Sequence, residues 1–244
     1  MRILGTLLVL CTLFCFRGEV YADTKPVPIT ASSWLVADSS GKIIQGENTQ
    51  QIRSIASISK LVTVMVVLDA NQDLDEKIDA YTRQELIQLA LIRSDNNAAQ
   101  QLCQNYPGGE FACIKAMNIR VGLLGMTNTK FADPTGLSVF NTSTAEDLIK
   151  LVMTASSYPQ IVEAAKTPQG KIKLKKKWLV FNNTNPIIGK RYDFIVSKTG
   201  YIRAAGGCIA MMLDTRIGRR IVVVLGSRNT RTRIPEAEFI AERY

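Results

Sequence analysis

The sequence contains no histidine, and this absence excludes several common catalytic arrangements. A Ser-His-Asp triad and a Cys-His dyad both need an imidazole as the base. Catalytic zinc sites also depend on histidine ligands, so a zinc enzyme is not expected. If the chain is a hydrolase with a serine nucleophile, its base must be a lysine, a carboxylate or a bound water molecule.

Cysteine is also scarce, with five among 244 residues. Cys11 and Cys15 lie in an N-terminal apolar segment, which leaves Cys103, Cys113 and Cys208 for the rest of the chain. Three cysteines are too few for a small scaffold stapled by disulfides. A bond between Cys103 and Cys113 would close a short loop across a Pro-Gly-Gly turn, and free buried thiols fit the sequence equally well.

Only the N-terminus carries a long apolar run. A positively charged start is followed by uncharged apolar residues from 3 to 16, with small residues at Val20 and Ala22. This pattern is typical of a secretory signal peptide, whereas a membrane-spanning helix needs about 20 apolar residues. We therefore expect residues 1–22 to be a cleaved signal, and residues 23–244 to form a single domain in the periplasm or outside the cell.

The net charge is +9, and removal of residues 1–22 leaves +8 because two arginines and one glutamate are lost. A basic exported protein is attracted to anionic wall polymers, membrane surfaces and nucleic acid alike. Residues 171–177 contain five lysines, but a charge run usually forms a solvated strand face, and only Trp178 offers a ring for base stacking. The charge is thus compatible with peripheral association with the wall or a membrane surface, and we expect no binding of nucleic acid.

The order of the predicted elements favours an α+β fold. Helices are predicted from apolar periodicity and capping residues at 57–70, 83–104, 111–124, 144–154 and 235–244. Strands are predicted from apolar and alternating runs at 33–38, from 43 onward, and at 171–180, 195–198, 207–214 and 220–227. Because strands come first and last, we expect an antiparallel sheet built from both chain ends, with a helical middle region.

Three short motifs stand in order along the chain: Ser57–Lys60, Ser94–Asn96 and Lys198–Gly200. They match the S-x-x-K, S-D-N and K-T-G pattern of penicillin-binding proteins and class A β-lactamases. Each motif alone is weak, since Ser39–Lys42 also spells S-x-x-K and Ser227–Asn229 spells S-x-N. Those two matches are explained more simply as a hairpin turn and a strand end. The order and context of the three motifs therefore carry the prediction.

The context of each motif suits catalysis. Lys60 follows Ser57 by one turn at a predicted helix start, so its amine reaches the hydroxyl, and free backbone N–H groups are available for an oxyanion. Ser94 interrupts a helical pattern, as a turn facing a cleft does. Lys198–Gly200 is expected to end a strand, where Gly200 lets a substrate backbone come close.

These positions predict an acyl-enzyme mechanism. Ser57 attacks a peptide carbonyl, and Lys60 in its neutral form takes the proton. The pKa of Lys60 must be lowered by burial or by a neighbouring positive charge, for which Lys198 is the candidate. Ser94 then relays the proton to the leaving amine, and water hydrolyses the acyl-enzyme.

The remaining motif residues are expected to bind the substrate. Asn96 forms a hydrogen bond with the substrate amide, while Lys198 and Thr199 hold a terminal carboxylate. No metal ion and no cofactor enter this scheme.

Longer stretches around the motifs resemble the low-molecular-mass D-alanyl-D-alanine peptidases, namely residues 55–63, 124–131, 133–138 and 198–201. Residues 106–109 and 204–208 resemble the D-alanyl-D-alanine endopeptidases more narrowly. The resemblance covers nearly all of residues 23–244 and implies the transpeptidase fold of penicillin-binding proteins and β-lactamases. It also implies an oxyanion hole from the backbone N–H groups of Ser57 and Tyr201. Peptidoglycan stem peptides and cross-links are the implied substrates, and β-lactams the implied covalent inhibitors.

Endopeptidase action is favoured over three alternatives. A D-alanyl-D-alanine carboxypeptidase cuts the same kind of bond and differs in what lies beyond it. A class A β-lactamase needs a carboxylate to activate water, and neither Glu146 nor Glu163 fits that pattern. A non-catalytic penicillin sensor would not need the full catalytic set. The segment between Lys60 and Ser94 is shorter than in the related peptidases, so we expect one wall of the cleft to be reduced.

Overall fold

The computed structural model describes residues 27–244, so the predicted signal peptide at residues 1–22 lies outside the described residues. The strands are β1 (Ser33–Asp38), β2 (Ile43–Glu47), β3 (Arg53–Ser54), β4 (Lys77–Ile78), β5 (Tyr81–Thr82), β6 (Thr142–Ser143), β7 (Gln169–Leu174), β8 (Lys177–Asn182), β9 (Asp193–Ile202), β10 (Gly206–Thr215) and β11 (Gly218–Ser227). The α-helices are α1 (Lys60–Asp69), α2 (Arg83–Gln88), α3 (Asn96–Gln104), α4 (Gly109–Leu123), α5 (Ala145–Ala155), α6 (Pro159–Lys166) and α7 (Arg233–Arg243). A 3₁₀ turn at Ala56–Ser59 leads into α1, and a π-helix at Leu89–Arg93 follows α2.

Both ends of the chain contribute to one antiparallel sheet, in the order β2-β1-β11-β10-β9. β1 pairs with β11, so that Ser33 lies opposite Leu225 and Asp38 opposite Arg220. The predicted α+β fold, with its sheet from both chain ends and its helical middle region, is therefore confirmed. Within residues 27–244, no helix has both the length and the apolar character that a membrane span requires.

The middle parts of β1, β10 and β11 are apolar because both faces of the sheet are covered there. Val222 and Val224 of β11 pack in one core with Ile240 of α7. Val223 and Leu225 point to the opposite face and pack in the second core, with α1 and α5. Each fully buried valine or leucine contributes about 1.5–3 kcal/mol to folding. This layering fixes the edge strand β9 beside the helical region.

The prediction of one exposed strand over residues 171–180 is wrong, because this segment is a hairpin of two strands, β7 and β8. The chain reverses at Lys175 and Lys176, where Lys175 has a positive φ of 49°. Neither glycine nor proline marks this turn, so the sequence reads as one alternating strand. Helix α6 is also missing from the sequence prediction, since its eight residues span only about two helical turns.

Cys103 and Cys113 form a disulfide that joins α3 to α4, with their Cα atoms 5.3 Å apart. Cys208 is a buried free thiol. The choice that the sequence leaves open, between a disulfide and free thiols, is therefore settled in favour of the disulfide. The bond links two helices that pack beside α1, which carries the predicted base.

Replacing both Cys103 and Cys113 with alanine is expected to lower the free energy of unfolding by about 2–3 kcal/mol, because the bond closes a short loop in the unfolded chain. Urea unfolding followed by tryptophan fluorescence measures the change. Wild-type protein treated with a thiol reductant should unfold at the same urea concentration as the variant. If the variant and the oxidised wild type unfold at the same midpoint urea concentration, the prediction is wrong.

Candidate active site

The three motifs meet where β9 faces the 3₁₀ turn at the start of α1. They line a cleft of about 230 Å³. The predicted site residues whose side chains or backbone line this cleft are Ser57, Ser94, Asn96, Thr199, Gly200 and Tyr201. The two predicted lysines, Lys60 and Lys198, are buried. The structure therefore brings all eight predicted residues to one place.

Lys60 is fully buried and faces Ser57. Its Nζ lies 2.9 Å from Ser57 Oγ and 2.8 Å from Asn96 Oδ1, and it also donates to the carbonyl oxygen of Thr135. A neutral amine has two N–H donors and one lone pair. Asn96 and Thr135 accept the two N–H groups, which leaves the lone pair for the hydroxyl hydrogen of Ser57.

The pKa of each buried lysine is lowered. Burial lowers the pKa of Lys60 from 10.5 to about 8, while the carboxylates of Asp133 and Asp95 act in the opposite direction. Of the two causes considered from the sequence, burial is therefore the main one. The pKa of Lys198 lies well below its usual value, first because of burial and then because of the charges of Lys60 and Arg233. Burial thus makes each amine easier to deprotonate than a lysine in water.

The peptide that precedes Ser57 has an unusual conformation. Ala56 has a φ of 48°, a region that residues other than glycine rarely occupy. Gly136, with a φ of 83°, packs directly on this peptide, and an added Cβ would lie 2.2 Å from the Ala56 carbonyl oxygen. Local strain of this kind persists where the surroundings hold it in place. The loop that contains Gly136 therefore sets the position of Ser57, the predicted nucleophile.

Two polar side chains organise the loop from 131 to 141. The carboxylate of Asp133 accepts three backbone N–H groups and the Thr135 hydroxyl within the loop. Burial raises the pKa of Asp133, but the hydrogen bonds, that of the Thr135 hydroxyl first, hold it below its usual value. Asn141 is fully buried, accepts the N–H of Asp133, and donates to Ser59 Oγ at 3.0 Å. This network directs the Thr135 carbonyl towards Lys60.

Ser94 lies at a break in a helical segment. The π-helix ends at Ser94, which has a left-handed φ of 60°, and Asp95 then caps α3 by accepting the N–H of Ala98. Ser94 Oγ accepts a hydrogen bond of 2.8 Å from Lys198 Nζ. The polar interruption in the sequence therefore does form a turn that faces the cleft.

The sequence prediction places the third motif at the end of a strand, but in the structure it lies within one. β9 continues beyond Lys198–Gly200 for two more residues. Gly200 packs against the segment before the nucleophile, where an added Cβ would lie 3.0 Å from the backbone nitrogen of Ser57. The next residue, Tyr201, also lines the cleft. The backbone at Ser57 and the backbone at Tyr201 are therefore neighbours.

Arg233 is a cleft residue that the sequence motifs do not reveal. The terminal helix begins at Arg233, two residues before the predicted start at Pro235. The guanidinium of Arg233 donates to the carbonyl of Gly200 at 2.7 Å, and its Nε is buried without a partner among the described residues. No sequence signal distinguishes this arginine from its neighbours. Leu137, Thr184 and Thr230 complete the cleft and were not predicted either.

The two other motif matches are structural. Ser39–Lys42 forms the turn between β1 and β2, where the Asp38 carboxylate accepts two backbone N–H groups. Ser227 ends β11 and donates to the buried carboxylate of Glu236. Neither match lines the cleft, in agreement with the simpler explanations that the sequence suggests.

No aspartate or glutamate side chain lines the cleft within the described part of the chain. Glu146 accepts a hydrogen bond from Thr49 at the start of α5. Glu163 lies on α6 and lines a separate depression. The two carboxylates considered from the sequence as water-activating groups are therefore outside the cleft.

Known proteins are similar to this chain in sequence. A family model described as D-alanyl-D-alanine carboxypeptidase matches residues 20–81 and 72–229. The D-alanyl-D-alanine endopeptidase of Escherichia coli (strain K12) is 38% identical over 211 residues, which cover 77% of this chain and 68% of that protein. The D-alanyl-D-alanine endopeptidase of Pseudomonas aeruginosa is 37% identical over 233 residues, which cover 86% of this chain and 75% of that protein.

A solved structure agrees with the fold that the motifs imply. Penicillin-Binding Protein D2 from Listeria monocytogenes, in its ampicillin-bound form, superposes with a TM-score of 0.78 at 25% identity. The match covers 88% of this chain and 97% of that chain. The expected transpeptidase fold is therefore confirmed.

Replacing Gly136 with alanine is expected to slow the labelling of Ser57 by a fluorescent penicillin at least about a hundredfold, because the new Cβ displaces the peptide before the nucleophile. Gly109→Ala is the matched control. Gly109 has a φ of 76°, close to the 83° of Gly136, but no atom lies within 4 Å of its added Cβ. The control carries the same backbone strain and should label at the wild-type rate. Labelling at one common rate in both variants would argue against this account.

Proposed function

Because the chain belongs to the D-alanyl-D-alanine carboxypeptidase family, we propose that it is a serine endopeptidase that cleaves D-alanyl cross-links of peptidoglycan. The observation that carries the proposal is the buried amine of Lys60, held 2.9 Å from the Ser57 hydroxyl. The relatives at 37% and 38% identity are named endopeptidases, which favours a cross-link as the substrate. β-Lactams are expected to acylate the same serine.

Acylation requires a proton to leave Ser57 while its oxygen attacks the carbonyl carbon. Neutral Lys60 takes this proton on its lone pair, because Asn96 and Thr135 already accept its two N–H groups. The backbone N–H groups of Ser57 and Tyr201 stabilise the oxyanion that forms. The product of this step is a tetrahedral adduct on Ser57, and it becomes the acyl-enzyme when its bond to the leaving amine breaks.

The leaving amine must then receive a proton. Ser94 Oγ accepts a hydrogen bond from Lys198, so its own O–H is available to the departing nitrogen. We assign Ser94 as the relay between the protonated Lys60 and that nitrogen. The side-chain oxygen of Asn96 is engaged by Lys60, which leaves its amide nitrogen for the substrate backbone. Asn96 therefore serves both the base and the substrate.

The other end of the cleft suits an anionic substrate. Arg233 places a guanidinium there, and its Nε is without a partner among residues 27–244. Lys198 lies close to this guanidinium, and a bound carboxylate would favour the charged form of its amine. A substrate carboxylate would pair with these groups and with the hydroxyl of Thr199. The Thr199 hydroxyl now donates to Thr184 at 2.7 Å and would turn towards the carboxylate.

Two alternative functions lose support from the site. A class A β-lactamase needs a carboxylate to activate the deacylating water, and none lines the described cleft. A protein that only binds penicillin without covalent reaction would not need a base held against its serine. A carboxypeptidase remains the second candidate, because the matching family model carries that description.

A peptidoglycan substrate lies outside the cytoplasm, so the proposed function requires export. The signal peptide at residues 1–22 and a periplasmic or secreted location stay predictions from the sequence. The disulfide between Cys103 and Cys113 supports them, because such bonds form and persist in oxidising compartments.

The rate of Ser57 acylation is expected to rise with pH and level off above the pKa of Lys60, which is about 8. Only the neutral amine accepts the proton, so acylation by a fluorescent penicillin should be about tenfold faster at pH 9 than at pH 7. Stopped-flow labelling across this range measures the profile. Lys60→Ala should show no such rise. A flat wild-type profile would show that a different group is the base.

Incubation with a purified cross-linked muropeptide dimer and with a pentapeptide monomer tests the proposed function. We expect the dimer to be converted to monomers, as measured by liquid chromatography and mass spectrometry. Ser57→Ala should lose both this activity and penicillin labelling, while keeping the circular dichroism spectrum of the wild type. Release of terminal D-alanine from the monomer alone would replace the endopeptidase proposal with carboxypeptidase activity. Penicillin label on Ser57→Ala would refute the assigned nucleophile.

A further inference from the structure

The hairpin of β7 and β8 carries a basic and aromatic surface that the proposed mechanism does not use. Lys171 lies opposite Val180 and Lys173 opposite Trp178, all four exposed on the same side of the hairpin. Trp178 is 62% exposed and Val180 is 48% exposed. We call these four side chains the hairpin face. Three further lysines, at 175–177, form the tip.

Folding of the hairpin depends on its other side. Ile172 and Phe181 are buried there, and Gly170 packs directly on the ring of Phe181. None of the five hairpin lysines forms an ion pair with another described residue. Clustered like charges repel one another, and an exposed tryptophan ring contributes little hydrophobic stabilisation to the fold. The hairpin face is therefore free to contact an anionic partner.

The base of the hairpin adjoins the catalytic cleft. β8 ends at Asn182, and Thr184, two residues later, lines the cleft. The hydroxyl of Thr184 accepts a hydrogen bond from the hydroxyl of Thr199. The N–H of Thr184 also donates to the carbonyl of Ile92, in the π-helix that precedes Ser94. Six residues of extended chain, about 20 Å, separate Thr184 from Trp178. A polymer bound in the cleft thus has the hairpin face within reach.

We propose that the hairpin face is a binding subsite for the peptidoglycan strand that lies beyond the bond being cut. This inference rests on the proposed function. Peptidoglycan is a polymer of sugar rings and short peptides that carry free carboxylates. Lys171 and Lys173 would pair with the carboxylates, and Trp178 would stack on the apolar face of a sugar ring. The subsite raises affinity for the polymer over small substrates.

The arrangement of charge favours this occupant over a lipid bilayer or nucleic acid. A surface that inserts among lipids needs apolar side chains at its leading edge. The hairpin tip carries three lysines, while Leu174 and Leu179 are turned towards the core. Single-stranded nucleic acid is bound by successive stacking rings, and the hairpin face offers Trp178 alone.

The test compares two triple variants for binding to purified insoluble peptidoglycan in a pelleting assay. Both carry Ser57→Ala in addition, so that the polymer is not digested. Lys171→Gln, Lys173→Gln and Trp178→Ala together should weaken binding about tenfold relative to Ser57→Ala alone, and less so at high salt. With Ser57 restored, this variant should keep the wild-type rate of penicillin labelling, because penicillin has no strand beyond the bond that is cut.

The matched control removes the same charge and one exposed aromatic ring elsewhere. It combines Lys42→Gln, Lys115→Gln and Phe111→Ala, of which Phe111 is 81% exposed on α4. This control should bind the polymer as tightly as Ser57→Ala alone. Equal weakening of binding by the two triple variants would reduce the effect to net charge and overturn the proposal.

Two further measurements separate the possible failures. If the hairpin variant loses binding to phosphatidylglycerol vesicles or to DNA but not to peptidoglycan, the face serves a membrane or nucleic acid and the proposal is wrong. Failure of the proposed function has a different signature. In that case the wild type itself takes no penicillin label and leaves the dimer intact, whatever the state of the hairpin.

Discussion

The burial of Lys60 against Ser57, Asn96 and Thr135 is the contact around which the site is arranged. Burial disfavours the charged amine and so suits it to the proposed role of base. The same effect weakens the fold. With a pKa of about 8 when folded and 10.5 when unfolded, the unfolded chain binds more protons between these values. The destabilisation is thus complete below about pH 8 and disappears as the pH rises towards 10.5. The six apolar residues between Leu61 and Val67 of α1, all buried, offset this cost.

The partners of Lys60 come from three separate parts of the chain. Ser57 lies in the 3₁₀ turn before α1, Asn96 begins α3, and Thr135 belongs to the loop from 131 to 141. Thr135 contributes its backbone carbonyl to Lys60, while its hydroxyl donates to Asp133 and accepts the N–H of Leu137 within the same loop. The hydrogen bonds of Asp133 and Asn141 set the path of the loop. Residues that never touch the substrate therefore determine how the base is oriented.

Sequence was informative where the physical cause is local. One helical turn places Lys60 beside Ser57, and Thr144 caps α5 within the range that the capping pattern predicts. It was uninformative where the cause is tertiary. Arg233 reaches the cleft only because α7 packs across the sheet and brings it to Gly200, 33 residues away in sequence. The turn at Lys175 was missed for another reason, because a lysine there adopts a backbone conformation that is usually occupied by glycine.

The lack of a carboxylate in the described cleft determines how the acyl-enzyme can be resolved. When a peptide is cut, the leaving amine takes the proton from Lys60 and diffuses away. Lys60 is then neutral again and can activate water by the reverse of the first proton transfer. When a β-lactam reacts, the amine stays joined to the acyl group, because the ring opens without releasing a fragment. It remains beside Lys60 and Ser94, where the water would have to stand. One base thus serves both half-reactions on a peptide but only the first on a β-lactam.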